Sequence, residues 1–146
     1  MNKIIFYSAA LLFFTSCNPA PEPIRYGEEK CDWCTMTIMD RRFGSEIVTR
    51  KGKIYKFDAT ECMIRFMESQ PGLKNQIQLQ LTNSFDKPGE LVDARNCYYL
   101  RSAEMPSPMG MNINPFTDSL TVKSFETENT GVVFRFNDLK EIVTSQ

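Results

Sequence analysis

FGSEIVTRKGKIYKFDATECMIRFMESQPGLKNQIQLQLT, residues 43–82, is the stretch on which the fold class turns. Residues 43–49 and 53–57 are short runs of β-formers joined by Arg50-Lys51-Gly52, and read as a hairpin. Asp58 and Glu61 follow with the spacing of an N-cap and its partner three residues on. Ala59, Cys62, Met63, Phe66 and Met67 then share one helical face, which Pro71-Gly72 ends. Ile77, Leu79 and Leu81 alternate with polar residues, the period of a half-buried strand. The order is strand, strand, helix, strand.

The C-terminal half repeats that order loosely. Residues 91–92 and 97–102 are strand candidates, and 105–115 reads as a loop rich in methionine and proline. Residues 117–128 suit a helix, although Thr121, Val122 and Thr127 lower its propensity. Gly131 closes it, 132–136 gives a last strand, and Asn137 or Asp138 caps a short terminal helix. The expected fold is α+β, built as two tandem ββαβ-like units spanning 31–85 and 86–146.

Ahead of those units, residues 1–16 read MNKIIFYSAALLFFTS: a lysine, then an apolar run too short to span a bilayer as a mature helix. Phe14-Thr15-Ser16-Cys17 resembles a bacterial lipobox, which makes 1–16 a signal peptide and Cys17 the lipidated first mature residue. Residues 17–30 are rich in proline and charge, and suit an extended tether. Its thirteen residues after Cys17 could reach roughly 40 Å.

Composition narrows the chemistry. The chain has 146 residues, 17 basic and 18 acidic side chains, and a net charge of −1, so it has no broad basic face for nucleic acid. It contains no histidine, which excludes serine–histidine and cysteine–histidine nucleophile systems within the chain. Sulfur is plentiful instead, with five cysteines and eight methionines. In an oxidising compartment Cys31, Cys34, Cys62 and Cys97 could also form disulfides, with three possible pairings.

Two sulfur clusters stand out. Cys31-Asp-Trp-Cys34-Thr-Met36 offers a Cys-x-x-Cys pair and a thioether two residues on. If that segment is extended, Cys34 and Met36 face the same side and present a thiolate and a thioether to a soft cation such as Cu(I). Structural zinc wants four protein ligands, and neither a second Cys-x-x-Cys nor a histidine is available. Cys31 is either a further ligand or a disulfide partner, and Cys62, on the apolar face of its helix, reads as core. Met105-Pro-Ser-Pro-Met109-Gly-Met111 is the second cluster. Met109, between Pro108 and Gly110, is its candidate ligand, Met111 a further one, and Met105 reads as core, as do Met63 and Met67.

In order along the chain come a lipobox, Cys-x-x-Cys-x-Met, Tyr55-x-Phe57-Asp58 with a cysteine just inside the helix, Pro108-Met109-Gly110, and Gly131-Val-Val-Phe134. This set resembles the NosL family of lipoproteins, accessory proteins of nitrous oxide reductase maturation. The resemblance implies tandem ββαβ units related to an organomercurial lyase domain. It further implies a non-enzymatic copper chaperone whose Cu(I) thiolate and thioether correspond to Cys34 and Met36, and whose later methionine corresponds to Met109. It makes the partners nitrous oxide reductase, or the ABC transporter of its maturation. A lipid anchor would hold the chain in the bacterial envelope facing the periplasm, the outer membrane preferred over the inner. Two departures stand out: Thr35 occupies a position where many relatives carry glycine, and Asn114-Pro115-Phe116 replaces an alanine–phenylalanine loop end. Three other readings of the same residues are a thiol–disulfide oxidoreductase using Cys31 and Cys34, an organomercurial lyase resting on fold analogy alone, and a structural lipoprotein held by a Cys31–Cys34 or Cys62–Cys97 disulfide.

Overall fold

Strand β1 (Ser45–Thr49) is buried along its whole length because it is paired on both sides. It forms an antiparallel hairpin with β2 (Ile54–Phe57), Ser45 opposite Phe57 and Val48 opposite Ile54. The connection closes on Gly52, whose amide bonds to the Thr49 carbonyl and whose φ of +79° is the left-handed value such a turn needs. Helix α1 (Thr60–Ser69) follows and buries Cys62, Met63, Phe66 and Met67. Strand β3 (Ile77–Thr82) returns antiparallel to β1.

The second unit has the same plan. Strand β5 (Tyr98–Ser102) lies between β6 (Ile113–Phe116) and β7 (Gly131–Arg135), both antiparallel to it. Helix α2 (Ser119–Glu128) connects β6 to β7, and the Asp118 side chain caps it by accepting from the Thr121 amide. Each unit is therefore ββαβ with its first strand in the middle, β2-β1-β3 in one sheet and β6-β5-β7 in the other. The expected α+β fold of tandem units is what the chain adopts. Two further elements complete it: β4 (Val92–Asp93), and a terminal helix, α3 (Phe136–Thr144).

The computed structural model describes residues 19–145, so the expected signal peptide at 1–16 and the expected lipidation site Cys17 lie outside the described residues. Within them, four local readings change. Residues 113–116, expected as loop, form β6. Pro115 is tolerated there because β6 pairs on one side only, and its carbonyl accepts from the Phe85 amide. The strand expected at 91–92 to open the second unit instead extends the first sheet, with Thr82 opposite Val92 and Leu81 opposite Asp93. Helix α1 begins one residue late, with Ala59 at the N-cap position and no side-chain cap, because Asp58 accepts from the Met39 amide and Glu61 bonds elsewhere. Helix α3 starts at Phe136, and Asp138 accepts from the Arg135 amide.

The two units share their interior. Ile64 of α1 packs with Cys97, Tyr99, Ile113, Leu139 and Val143, and Phe136 touches both this cluster and that around Phe57 and Met63. The larger departure lies at the N-terminus. From Glu22 onward the stretch read as tether is docked on the first sheet. The Glu22 amide donates to buried Glu46 at 3.1 Å, and the Lys56 ammonium reaches the Pro23 carbonyl and the Glu29 carboxylate at 2.9–3.1 Å. Ile24 enters the first core. Gly44 leaves room for it: a Cβ there would come within 2.9 Å of Ile24 and 2.6 Å of Asn83.

Candidate metal centre

The Cys-x-x-Cys loop is a tight hairpin rather than a strand. Lys30 and Thr37 form an isolated antiparallel bridge, the Cys31 amide bonds to the Met36 carbonyl at 2.8 Å, and the Thr35 amide to the Cys31 carbonyl at 3.0 Å. Closing so short a loop needs a left-handed residue, and Thr35 supplies it with φ +64°. The extended Cys34-Thr35-Met36 geometry expected from the sequence is thus absent. A β-branched residue is poorly suited to that conformation, which explains why glycine would serve there. Asp32 fastens the hairpin to β2, its amide donating to the Lys56 carbonyl and its carboxylate accepting from the Lys56 amide at 2.7 Å.

That fastening sets the loop against the β2–α1 junction and so against the first turn of α1, which carries Cys62. The sulfurs of Cys31, Cys34 and Cys62 lie within 4.8 Å of one another. With metal–thiolate bonds of about 2.3 Å, three sulfurs around one ion are about 4 Å apart, so one soft cation would draw them together with small movements. Cys31 and Cys62 are buried and Cys34 is half-buried, so the cluster opens to solvent at Cys34. These three and Cys97 are free thiols; no disulfide joins any of the four.

The three sulfurs are chemically unequal. Cys31 is drawn well below the ordinary thiol range, first by the Cys62 thiol that donates to it and then, against the cost of burial, by the amides of Cys34, Asp58 and Trp33. Cys62 moves the opposite way, because its proton is committed to Cys31 and because it is buried. Burial also raises Cys34. Asp58 is raised by burial and by the negative charge on Cys31. Of the three sulfurs, Cys31 is the one most readily ionised, and the other two keep their protons more tightly.

The proposed ligands are only partly gathered. Cys31 and Cys34 are in the cluster. Met36 sends its amide toward the Cys34 sulfur, while the residue is 54% exposed. Met109 packs half-buried on the core that contains Cys31 and Cys62 and borders Cys34. Met111 is a correction: it is buried with Ile64, Cys97 and Tyr99, and its sulfur accepts from the Arg65 guanidinium, so it is committed to the second core. Met105 is buried against Leu100 and Phe116, and Met63 and Met67 lie in the first core, as their spacing suggests. Cys62 was read from its helical face as core. It is core, and a member of the cluster as well. The hint was its place in the first helical turn, directly after the strand to which the Cys-x-x-Cys hairpin is tied.

Comparison with known proteins follows the same lines. The family model described as NosL matches residues 25–144. Among solved structures, the crystal structure of the copper chaperone NosL from Shewanella denitrificans aligns with a TM-score of 0.70 and 19% identity, covering 82% of this chain and 95% of that one. At that identity the likeness speaks for the fold. No curated protein matches the sequence.

Proposed function

The chain belongs to the NosL family, and from that premise we propose that it is a copper carrier that holds Cu(I) through sulfur and passes it on without catalysing a reaction. The observation that carries this reading is the convergence of the Cys31, Cys34 and Cys62 sulfurs within 4.8 Å. The donors gathered there are three cysteine sulfurs, all of them soft. Met109 on the adjoining core and the exposed Met36 are thioethers that can stand in for one of the thiols, so that two to three sulfurs bind at a time. Two to three sulfurs leave Cu(I) coordinatively open. An acceptor's thiolate, thioether or imidazole then enters at Cys34 before the bonds to buried Cys31 and Cys62 break.

In this reading Cys17 is the lipid anchor, the domain faces the periplasm, and the copper is destined for nitrous oxide reductase or exchanged with the transporter of its maturation. The ordered motif set supports that assignment. A dithiol oxidoreductase is disfavoured by the distribution of reactivity: acidified Cys31 is 2% exposed, whereas accessible Cys34 has a raised thiol.

Anaerobic Cu(I) titration against a chromophoric chelator, with X-ray absorption of the loaded protein, tests the proposal. Sulfur-only coordination by two to three atoms is expected. Coordination dominated by nitrogen or oxygen, or unchanged affinity in Cys34→Ala and Cys62→Ala, would overturn it.

A further inference from the structure

Glu61 has no evident reason to be where it is. It lies beside Cys62 in the first turn of α1, 1% exposed, and one of its carboxylate oxygens has no partner. A carboxyl in such a place is costly unless a specific bond holds it. That bond comes from the methionine loop: the Ser107 hydroxyl donates to the other Glu61 oxygen at 2.8 Å.

Ser107 in turn organises the loop. Its hydroxyl accepts from the Asn112 amide at 2.9 Å, and its carbonyl accepts from the Gly110 amide at 3.0 Å, closing the turn that carries Met109. Gly110 and Asn112 take the left-handed conformations this path requires, with φ of +72° and +59°. Met105 and Met111 are each committed to another core, so Met109 is the loop's thioether on the thiol side.

We propose that Glu61 is a positioning residue which, through Ser107, holds the methionine loop against the head of α1 and so fixes Met109 as a thioether ligand beside Cys62. This rests on the copper reading above and deepens it. The residue next to a ligand in the chain thereby governs a second ligand 48 positions away in sequence.

A double-mutant cycle tests it with the full chain. Anaerobic Cu(I) affinity is measured for wild type, Ser107→Ala, Met109→Ala and the double variant, with circular dichroism of each apoprotein as a fold control. Ser107→Ala and Met109→Ala should each weaken binding by about tenfold, and the double variant should be no weaker than Met109→Ala alone. X-ray absorption should lose one sulfur in both single variants. Glu61→Leu, which removes the acceptor for Ser107 and leaves the Ser107–Asn112 bond in place, should weaken binding by the same factor as Ser107→Ala and lose the same sulfur; full affinity in Glu61→Leu would overturn the proposal. Additive losses in the cycle, or full affinity in Ser107→Ala, would overturn the positioning role. Full affinity in Met109→Ala would overturn it too, while loss of Cu(I) in Cys34→Ala would leave the metal centre standing. If Cys34→Ala and Cys62→Ala both bind as wild type, the copper reading itself fails.

Discussion

The thiol of Cys62 donates to the sulfur of Cys31, so a residue in the first turn of a helix sets the ionisation of one in a hairpin 31 positions earlier. The Cys-x-x-Cys motif is therefore incomplete as a chemical unit. Its third member comes from α1, and the fold delivers it by tying Asp32 to the β2 residue Lys56.

Replacing Cys62 separates these roles. Cys62→Ala removes the donor that acts most strongly on Cys31, so the Cys31 thiol should titrate at higher pH than in wild type. Cu(I) affinity should fall by at least about tenfold with the loss of one thiolate. Ultraviolet thiolate absorbance against pH reads the first effect and chelator competition the second. An unshifted thiolate transition would refute the Cys62–Cys31 bond.

Thr35 tests the hairpin. A β-branched residue at φ +64° carries local strain of about 1–2 kcal/mol, which glycine relieves. Part of that gain is offset by the greater freedom of glycine in the unfolded chain, so Thr35→Gly should raise stability by about 1 kcal/mol. Urea unfolding of the apoprotein measures it, and a lower midpoint would contradict the strain.

Glu46 gives stability a pH dependence. Burial raises its carboxyl from 4.5 to about 7, with the Glu22 amide and then Lys56 only partly opposing the shift. The native state thus binds this proton more tightly than the unfolded chain does. Its contribution is fully present below 4.5 and is lost as pH rises through 7. Glu46→Gln keeps an oxygen for the Glu22 amide and removes the loss. The variant should exceed wild type above neutrality by on the order of 3 kcal/mol and converge with it in acid. Urea midpoints across the pH range check the sign.

Cys97 provides the contrast. Burial, helped by Asp86 and Asp93, pushes its thiol up to about 12, and it packs in the second core away from the other three sulfurs. Cys97→Ala should leave Cu(I) binding unchanged while costing about 1–2 kcal/mol of stability through the small cavity it creates. A Cys97→Ala variant with weakened Cu(I) binding would contradict the assignment of the thiol cluster.

What the sequence disclosed followed its local periodicities. The β1–β2 hairpin, the apolar face of α1 and the alternation of β3 were all readable from neighbours a few residues apart. Features set by distant partners were not. β6 was masked because Ile113-Asn-Pro-Phe116 has a proline and little alternation, and only pairing with Tyr98–Arg101 makes it a strand. Glu61 looked like half of a capping box, but its partner is Ser107. Cys62 looked like core because part of the first core is the thiol cluster itself, so hydrophobic patterning cannot separate the two roles. The segment after Pro21 looked like a tether because it has one large aliphatic residue, Ile24, and one aromatic, Tyr26, to pack on the core, and owes the rest of its docking to hydrogen bonds and ion pairs.

That docking fixes a scale for transfer. Chain engaged from Glu22 onward leaves five residue steps back to Cys17, a span of at most about 17 Å in place of about 40 Å. A carrier lipidated at Cys17 would have a short capture radius. It would skim the bilayer with its copper at a nearly constant height, and only partners presenting their own site at that height could collect the ion.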